Sequence, residues 1–440
     1  MASPHRDLAS ASLGRLTSSV AVAGIGVRLF ALINEPLLAR SFGTSGELDA
    51  FLLAFLVPTF LIAIVGNAFA GAFVPAFIAE RATSGEAAAF GMFRAAVWRS
   101  MAWMLAGTTV AALFLWFGVA LVMPNAPGLH GLPQRLGAVL LPTVVIKGWA
   151  SSRVALLHAH GRFAFPSWSR ITTPVALLLG LLLFVPDYGV FVLAWATLLG
   201  TVIEALLLGV GARPHRSVRS DGFSRHRLGQ AYSQYGALLA GSALASGAVI
   251  VDRTMVAGLA VGALATYYFG QRIVDAGVGI GVEALGSVML PVLSTTVVED
   301  GPAVASAQAR RWALFVGLGA SLLVLIAFPL AQPLVVFAFE RGLFDGSDSV
   351  AVAEILQVLS LSLPPALVAT VLSRWFSAVG RNGFLAWIGL ASLPANALLN
   401  WASISTFGLV GVAWSTVVVF SLTAAAMWIG SGSGVSRTNE

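Results

Sequence analysis

Residues 267–294 read YYFGQRIVDAGVGIGVEALGSVMLPVLS, an apolar, glycine-laced stretch that nevertheless carries Arg272, Asp275 and Glu283. It is long enough to cross a bilayer, which takes about 20 helical residues. On a helix advancing about 100° per residue, Arg272, Asp275, Gly279 and Glu283 fall within roughly 80° of one another, so they form one polar, small-residue stripe on an apolar rod. An ionised side chain at mid-bilayer costs on the order of 3 kcal/mol even on the lenient insertion scale, so the stripe is expected to face a wet cavity or a charged partner rather than lipid. The fold class that follows is an all-α polytopic membrane protein, and the stripe points to a transport pathway.

The rest of the chain carries the same signature. Of its 440 residues, 58% are hydrophobic and 10% charged, against about 25% charged in an average soluble domain; mean hydropathy is +0.88. Twelve spans are expected, at 18–40, 50–78, 101–123, 136–158, 165–185, 188–212, 231–258, 264–296, 310–337, 350–375, 383–402 and 407–430. They are continuous apolar stretches rather than the alternating ten-residue strands of an outer-membrane barrel, which makes the fold an α-helical bundle. The basic residues, all arginine but for Lys147, gather at the termini and in every second loop, as at Arg81, Arg94, Arg99, Arg162 and Arg213. The alternate loops hold Glu47, Asp49, Glu340, Asp345 and Asp348. By the positive-inside rule both termini are cytoplasmic, in a multi-pass protein of the cytoplasmic (inner) membrane. Topology thereby accounts for the net charge of +6, and nucleic acid is not an expected partner. The N-terminus shows no compact apolar region followed by a cleavage site, so no removable signal peptide is expected. The absence of cysteine excludes disulfides and thiolate metal sites.

The organisation expected is a cytoplasmic N-terminus at 1–17, an N-lobe of six spans at 18–212, a basic cytoplasmic linker at 213–230, a C-lobe of six spans at 231–430 and a cytoplasmic tail at 431–440. The five arginines of the linker read as a topology signal or as a contact for anionic lipid. Sliding the sequence by 216 residues lays 66–80 (GNAFAGAFVPAFIAE) on 282–296 (VEALGSVMLPVLSTT), with Pro75 on Pro291, Asn67 on Glu283 and Phe51 on Tyr267. Copies six spans apart insert the same way round, so the lobes are expected to be parallel repeats.

Of the basic residues inside spans, Arg28 and Arg272 lie near mid-depth, where snorkelling to water is hard. Arg153 and Arg253 lie nearer helix ends; Lys147 is mid-span and could pair with carbonyls beside Gly148. Glu35 follows Arg28 by seven residues and shares its helix face. Asp252, Asp275, Glu204 and Glu283 are the other intramembrane carboxylates. Arg272 and Asp275 either neutralise each other structurally or release the arginine for an anionic substrate in one state, and both readings stay open. Glu283 has no basic partner nearby in sequence and is the better candidate for proton or cation coupling, with Asn67, Asp252, Arg253 and Lys147 as weaker site candidates. Enzyme chemistry is not expected. The GVGIG run at 277–281 follows no strand, His158 and His160 point to different helix faces, so no metal site is expected, and no Walker motif is present.

The stretch 38–75, LARSFGTSGELDAFLLAFLVPTFLIAIVGNAFAGAFVP, with VDR at 251–253, YYFGQRIVD at 267–275 and FERGLFD at 339–345, resembles MurJ/MviN-type flippases. These belong to the multidrug/oligosaccharidyl-lipid/polysaccharide exporter (MOP) superfamily, and the resemblance covers about 20–420. It implies a two-lobed bundle that moves an undecaprenyl-pyrophosphate-linked saccharide from the cytoplasmic to the outer leaflet by alternating access. It also implies pyrophosphate contacts at Arg28 and Arg272, and a motif acid at Asp49. Guanidinium suits that task, being a permanently charged bidentate fork. Glu35, Asp49, Asp275 and Glu283 would then tune charge, gate, or couple to H+, Na+, Cl− or the membrane potential, and no other cofactor is expected. The bilayer and proteins of cell-envelope synthesis are the further partners implied. Asn34 and Ile62 stand where the family carries arginine, which keeps an exopolysaccharide or O-antigen unit as a rival cargo to lipid II; a cation-coupled multidrug antiporter is the remaining alternative.

Overall fold

A computed structural model describes residues 4–212 and 222–433, with side chains described from Val22 onward except those of residues 25, 67, 245, 280, 282–288 and 433. The described residues are helical with short connections, and no strand occurs among them. In chain order they form α1 (Pro4–Phe42), α2 (Gly46–Leu113), a π turn (Phe114–Gly118), α3 (Val119–Val122), α4 (Gly131–Ala159), α5 (Ala164–Ser169), α6 (Thr172–Leu183), α7 (Val185–Tyr188) and α8 (Phe191–Gly211). There follow α9 (Arg225–Ala257), α10 (Ala263–Glu299), α11 (Pro302–Ala327), α12 (Ala331–Phe339), α13 (Gly346–Ser360), α14 (Leu363–Ala378) and α15 (Asn382–Ser433). Eight continuous segments among the described residues are long and apolar enough to cross a membrane.

Glycine and proline decide where these rods bend. At Gly85 (φ 87, ψ 171) α2 leaves helical geometry, and at Gly408 (φ 56, ψ −131) α15 does the same; positive φ is where glycine is at ease and other residues are strained. Residues 310–337, expected as one span, are interrupted instead. Helix α11 stops at Ala327 and α12 begins at Ala331, because Pro329 has no N–H to donate to the ladder and its ring crowds the carbonyl one turn earlier. Residues 350–375 likewise divide between α13 and α14. Pro364 and Pro365 sit in the first turn of α14, where a missing N–H costs nothing, so they start a helix rather than kink one. The first helix begins at Pro4, well before the expected span, although its apolar portion is Val22–Phe42.

The chain forms two compact units: Met1–Phe42 with Ala50–Ser246, and Gly43–Asp49 with Gly247–Glu440. The division falls inside α9, and the connection between α1 and α2 belongs to the second unit. Most of the basic interval lies outside the described residues. In the first unit, Phe69, Phe73 and Phe77 recur every four residues along α2 and pack with Phe93 and Tyr235, Phe73 lying 5.5 Å from the Tyr235 ring; this spacing keeps one helix face buried. In the second unit the small residues Ala305, Ala309 and Ala313 give α11 a flat side that packs in one core with Trp375 and Phe376 of α14, the small-residue contact that suits helices in lipid. Gly281 serves packing as well, since a Cβ there would lie 2.6 Å from Leu367.

Candidate functional site

Arg272 and Asp275 ride on α10, and the start of that helix is held from a distant part of the chain. Gly262 precedes α10 with φ 87, and its side chain could not be larger, because a Cβ would collide with the carbonyl oxygen of Thr44. The first amides of a helix lack internal partners and carry the positive end of its dipole. Asp49 meets them: its carboxylate accepts from the backbone N–H of Gly262 at 2.5 Å and of Ala265 at 2.7 Å. The carboxylate is 2% exposed. Beside it, Asp348 accepts from the Thr44 hydroxyl and, at 3.4 Å, from the Thr44 amide. Asp345 and Asp348 form a reciprocal capping box at the start of α13, and Ser349 donates to Glu340 at 2.6 Å. Asp49, which the resemblance implies as a motif acid with a gating or coupling role, and Glu340, Asp345 and Asp348, which the charge pattern reads as topology markers, are structural acceptors in one cluster of turns.

The same unit buries a second carboxylate. Asp252 on α9 is 5% exposed; Asn400 donates to it at 2.6 Å and Thr416 at 3.4 Å. Asn396 lies one turn before Asn400, and the hydroxyl of the fully buried Tyr267 lies 3.3 Å from that of Thr416. The bend at Gly408 makes this cluster, since it returns α15 so that Ser415 meets Ser403 at 2.9 Å and Thr416 comes beside Asn400. Oδ1 of Asn400 is buried without a hydrogen-bond partner among the described residues. A carboxylate ringed by amide and hydroxyl groups can hold a proton, and its oxygen donors suit a small hard cation.

The remaining candidates are placed one by one. Arg28 is exposed on α1 and Glu35 is 5% exposed, two turns further on; on α10, Arg272 is partly buried and Asp275 exposed. Arg253 lies over the Tyr268 ring at 5.9 Å, and Arg153 over Trp149 at 4.7 Å. The side chains of Glu283 and Asn67 lie outside the described residues. Lys147 does not turn to the carbonyls beside Gly148; its ammonium forms an ion pair with Glu204 of α8. Asn34 is spent on packing, donating at 2.9 Å to the carbonyl of Pro174 on α6.

Sequence reading missed Glu80, Asn396, Asn400 and Thr416. Glu80, fully buried in α2, accepts from the Ser224 amide at 3.1 Å and from Arg227 at 2.6 Å, holding the start of α9. The asparagines did carry a signal, two amides four residues apart in the apolar run 394–401 (PANALLNW).

The model of a family described as lipid II flippase MurJ matches residues 38–435. A lipid II flippase MurJ of Burkholderia cenocepacia is 25% identical over 431 residues, covering 92% of this chain and 80% of that protein. A probable lipid II flippase MurJ of Synechocystis is 25% identical over 441 residues, covering 94% and 81%. Among solved structures, a lipid II flippase MurJ in an inward closed conformation superposes with a TM-score of 0.76 at 17% identity, covering 93% of this chain and 87% of that one. An inward-facing multidrug resistance MATE transporter of the MOP superfamily gives 0.75 at 16% identity, covering 93% and 94%. The structural likenesses show a shared membrane-transporter fold.

Proposed function

The chain belongs to the MurJ lipid II flippase family, and on that premise we propose that it carries lipid II, an undecaprenyl-pyrophosphate-linked saccharide, from the cytoplasmic to the outer leaflet by alternating access. The observation that carries this reading is the family match over 38–435, because it spans both units rather than one motif. Transport, not catalysis, is the activity, and the cytoplasmic (inner) membrane is its place. The chain crosses the membrane twelve times with both termini cytoplasmic. Eight apolar segments support that count, together with the folds at Gly85 and Gly408, which make two crossings each of α2 and α15, and with α6 and α10 as the remaining crossings.

Arg28 and Arg272 contact the pyrophosphate, each as a bidentate, permanently charged fork. Glu35, Asp275 and Glu283 tune their charge, and Asp49 fixes the helix that presents Arg272. The buried Asp252 cluster takes the coupling proton or cation, supported by the unpartnered Asn400 oxygen beside it. Asn34 donates to α6 and Ile62 brings no charge, so this chain grips its cargo with fewer arginines than its family, and a related lipid-linked glycan is the second reading.

Depletion of the protein in its host, followed by mass spectrometry of the undecaprenyl-linked intermediates, separates the two. Accumulation of lipid II with cell lysis is the expected result; accumulation of a different lipid-linked glycan in viable cells would replace lipid II with that cargo.

A further inference from the structure

Helix α4 turns a ladder of hydrogen-bond donors toward a cavity inside the first unit. Lys147, Ser151 and His158 stand within about 40° of one another on the helix surface, and all three line one cavity of about 410 Å³ together with Arg170 and Glu204. At about 1.5 Å per residue the ladder is about 16 Å long. The one carboxylate in that lining is Glu204, 4% exposed and paired with Lys147. An ammonium carries three donors, so the pair leaves capacity on Lys147, whose side chain keeps 22% of its surface open. Arg170 adds a guanidinium that is exposed and has no carboxylate within 4 Å among the described residues. Two fixed cations and an imidazole therefore face a single carboxylate, in a space of the size that holds small ligands. The surplus of positive charge and of hydrogen-bond donors around one space favours an anion there.

We propose that this cavity is a seat for a phosphate or diphosphate group. Lys147 and Arg170 are its charged contacts, Ser151 and His158 its hydrogen-bonding groups, and Glu204 an internal competitor that holds Lys147 until the anion displaces it. The group belongs either to the diphosphate of the carrier lipid, which deepens the flippase reading, or to a soluble phosphate, which is independent of it.

The test is calorimetric titration of inorganic pyrophosphate and of farnesyl pyrophosphate into the full chain in nanodiscs, in an Arg28→Ala/Arg272→Ala background that removes the other diphosphate contacts. Binding is expected to persist there. Arg170→Gln, at an exposed position that does not threaten folding, weakens it about tenfold, the scale of one charge-assisted contact. Glu204→Gln tightens it severalfold, because the competitor is gone, whereas a merely structural ion pair would give no gain. Farnesyl pyrophosphate binding tighter than pyrophosphate assigns the site to the carrier lipid; equal affinities assign it to a soluble anion. A silent titration, or affinities unmoved by both substitutions, overturns the proposal while leaving the role of Arg272 to be judged by flipping alone.

Discussion

Asp49 and Ala265 stand 216 residues apart, and the carboxylate of the first accepts the backbone amide of the second at 2.7 Å. The bond joins the start of α2 to that of α10, at the same offset by which the sequence lays Phe51 on Tyr267 and Pro75 on Pro291. Removing the acceptor leaves the amides of Gly262 and Ala265 buried and unpaired. We expect Asp49→Ala to cost about 1–3 kcal/mol of stability, read as a lower unfolding temperature in detergent, and Asp49→Asn, which keeps one acceptor oxygen, to cost less. An unchanged unfolding temperature in Asp49→Ala would remove the anchoring role.

Gly262 is the companion of that acid. With φ 87 and the Thr44 carbonyl against its α-carbon, Gly262→Ala combines a strained backbone with a collision and is expected to cost at least about 1–3 kcal/mol. Gly319, mid-helix in α11 with open space around it, is the control: Gly319→Ala is expected to be neutral or stabilising by up to about 1 kcal/mol. Equal effects at the two positions would contradict the account of the Gly262 turn.

Much of the architecture is legible in the sequence. Hydropathy reads the helical membrane class directly, and Gly85 bends α2 in the interval between two expected spans, whereas Gly408 bends α15 just inside the start of the last one. Pro329 and Pro364 were harder, because hydropathy does not register a missing N–H, and both interrupt apolar runs that look continuous. The acids of the turns were visible as charges but not as caps, since capping depends on which backbone amides fold to within 3 Å of them. Asp252 is legible as an intramembrane acid, yet its partner Thr416 comes from beyond the bend in α15 and no local pattern announces it. Lys147 shows the same limit, as its counter-charge lies 57 residues on.

The capping box at α13 carries a pH dependence. Hydrogen bonds from the Ser347 hydroxyl and from the amides of Asp348 and Ser347 hold the Asp345 carboxyl below the ordinary aspartate value of 3.8. A depressed folded-state value means that the cap contributes fully above that ordinary value and is lost as the pH falls through the lower folded one. The difference in unfolding temperature between the parent and Asp345→Ala should thus be constant from pH 7 to about pH 5 and shrink toward zero under strong acid. A difference that grows on acidification would contradict it.

Ion coupling at the buried carboxylate predicts a separate phenotype. Asp252→Asn keeps the size and one acceptor oxygen but cannot be charged, so transport is expected to lose its dependence on pH or on the alkali cation while the protein still inserts. A variant that transports with the parent's ion dependence would move the coupling site elsewhere, Glu283 being the next to test.

Flipping itself is measured most directly in liposomes loaded with labelled lipid II, by the rate at which the label becomes accessible on the opposite leaflet. The parent protein is expected to accelerate that exchange, Arg272→Lys to retain part of it through a single-point charge, and Arg272→Ala to abolish it at equal reconstitution. Unimpaired flipping by Arg272→Ala would contradict the claim that this arginine grips the pyrophosphate.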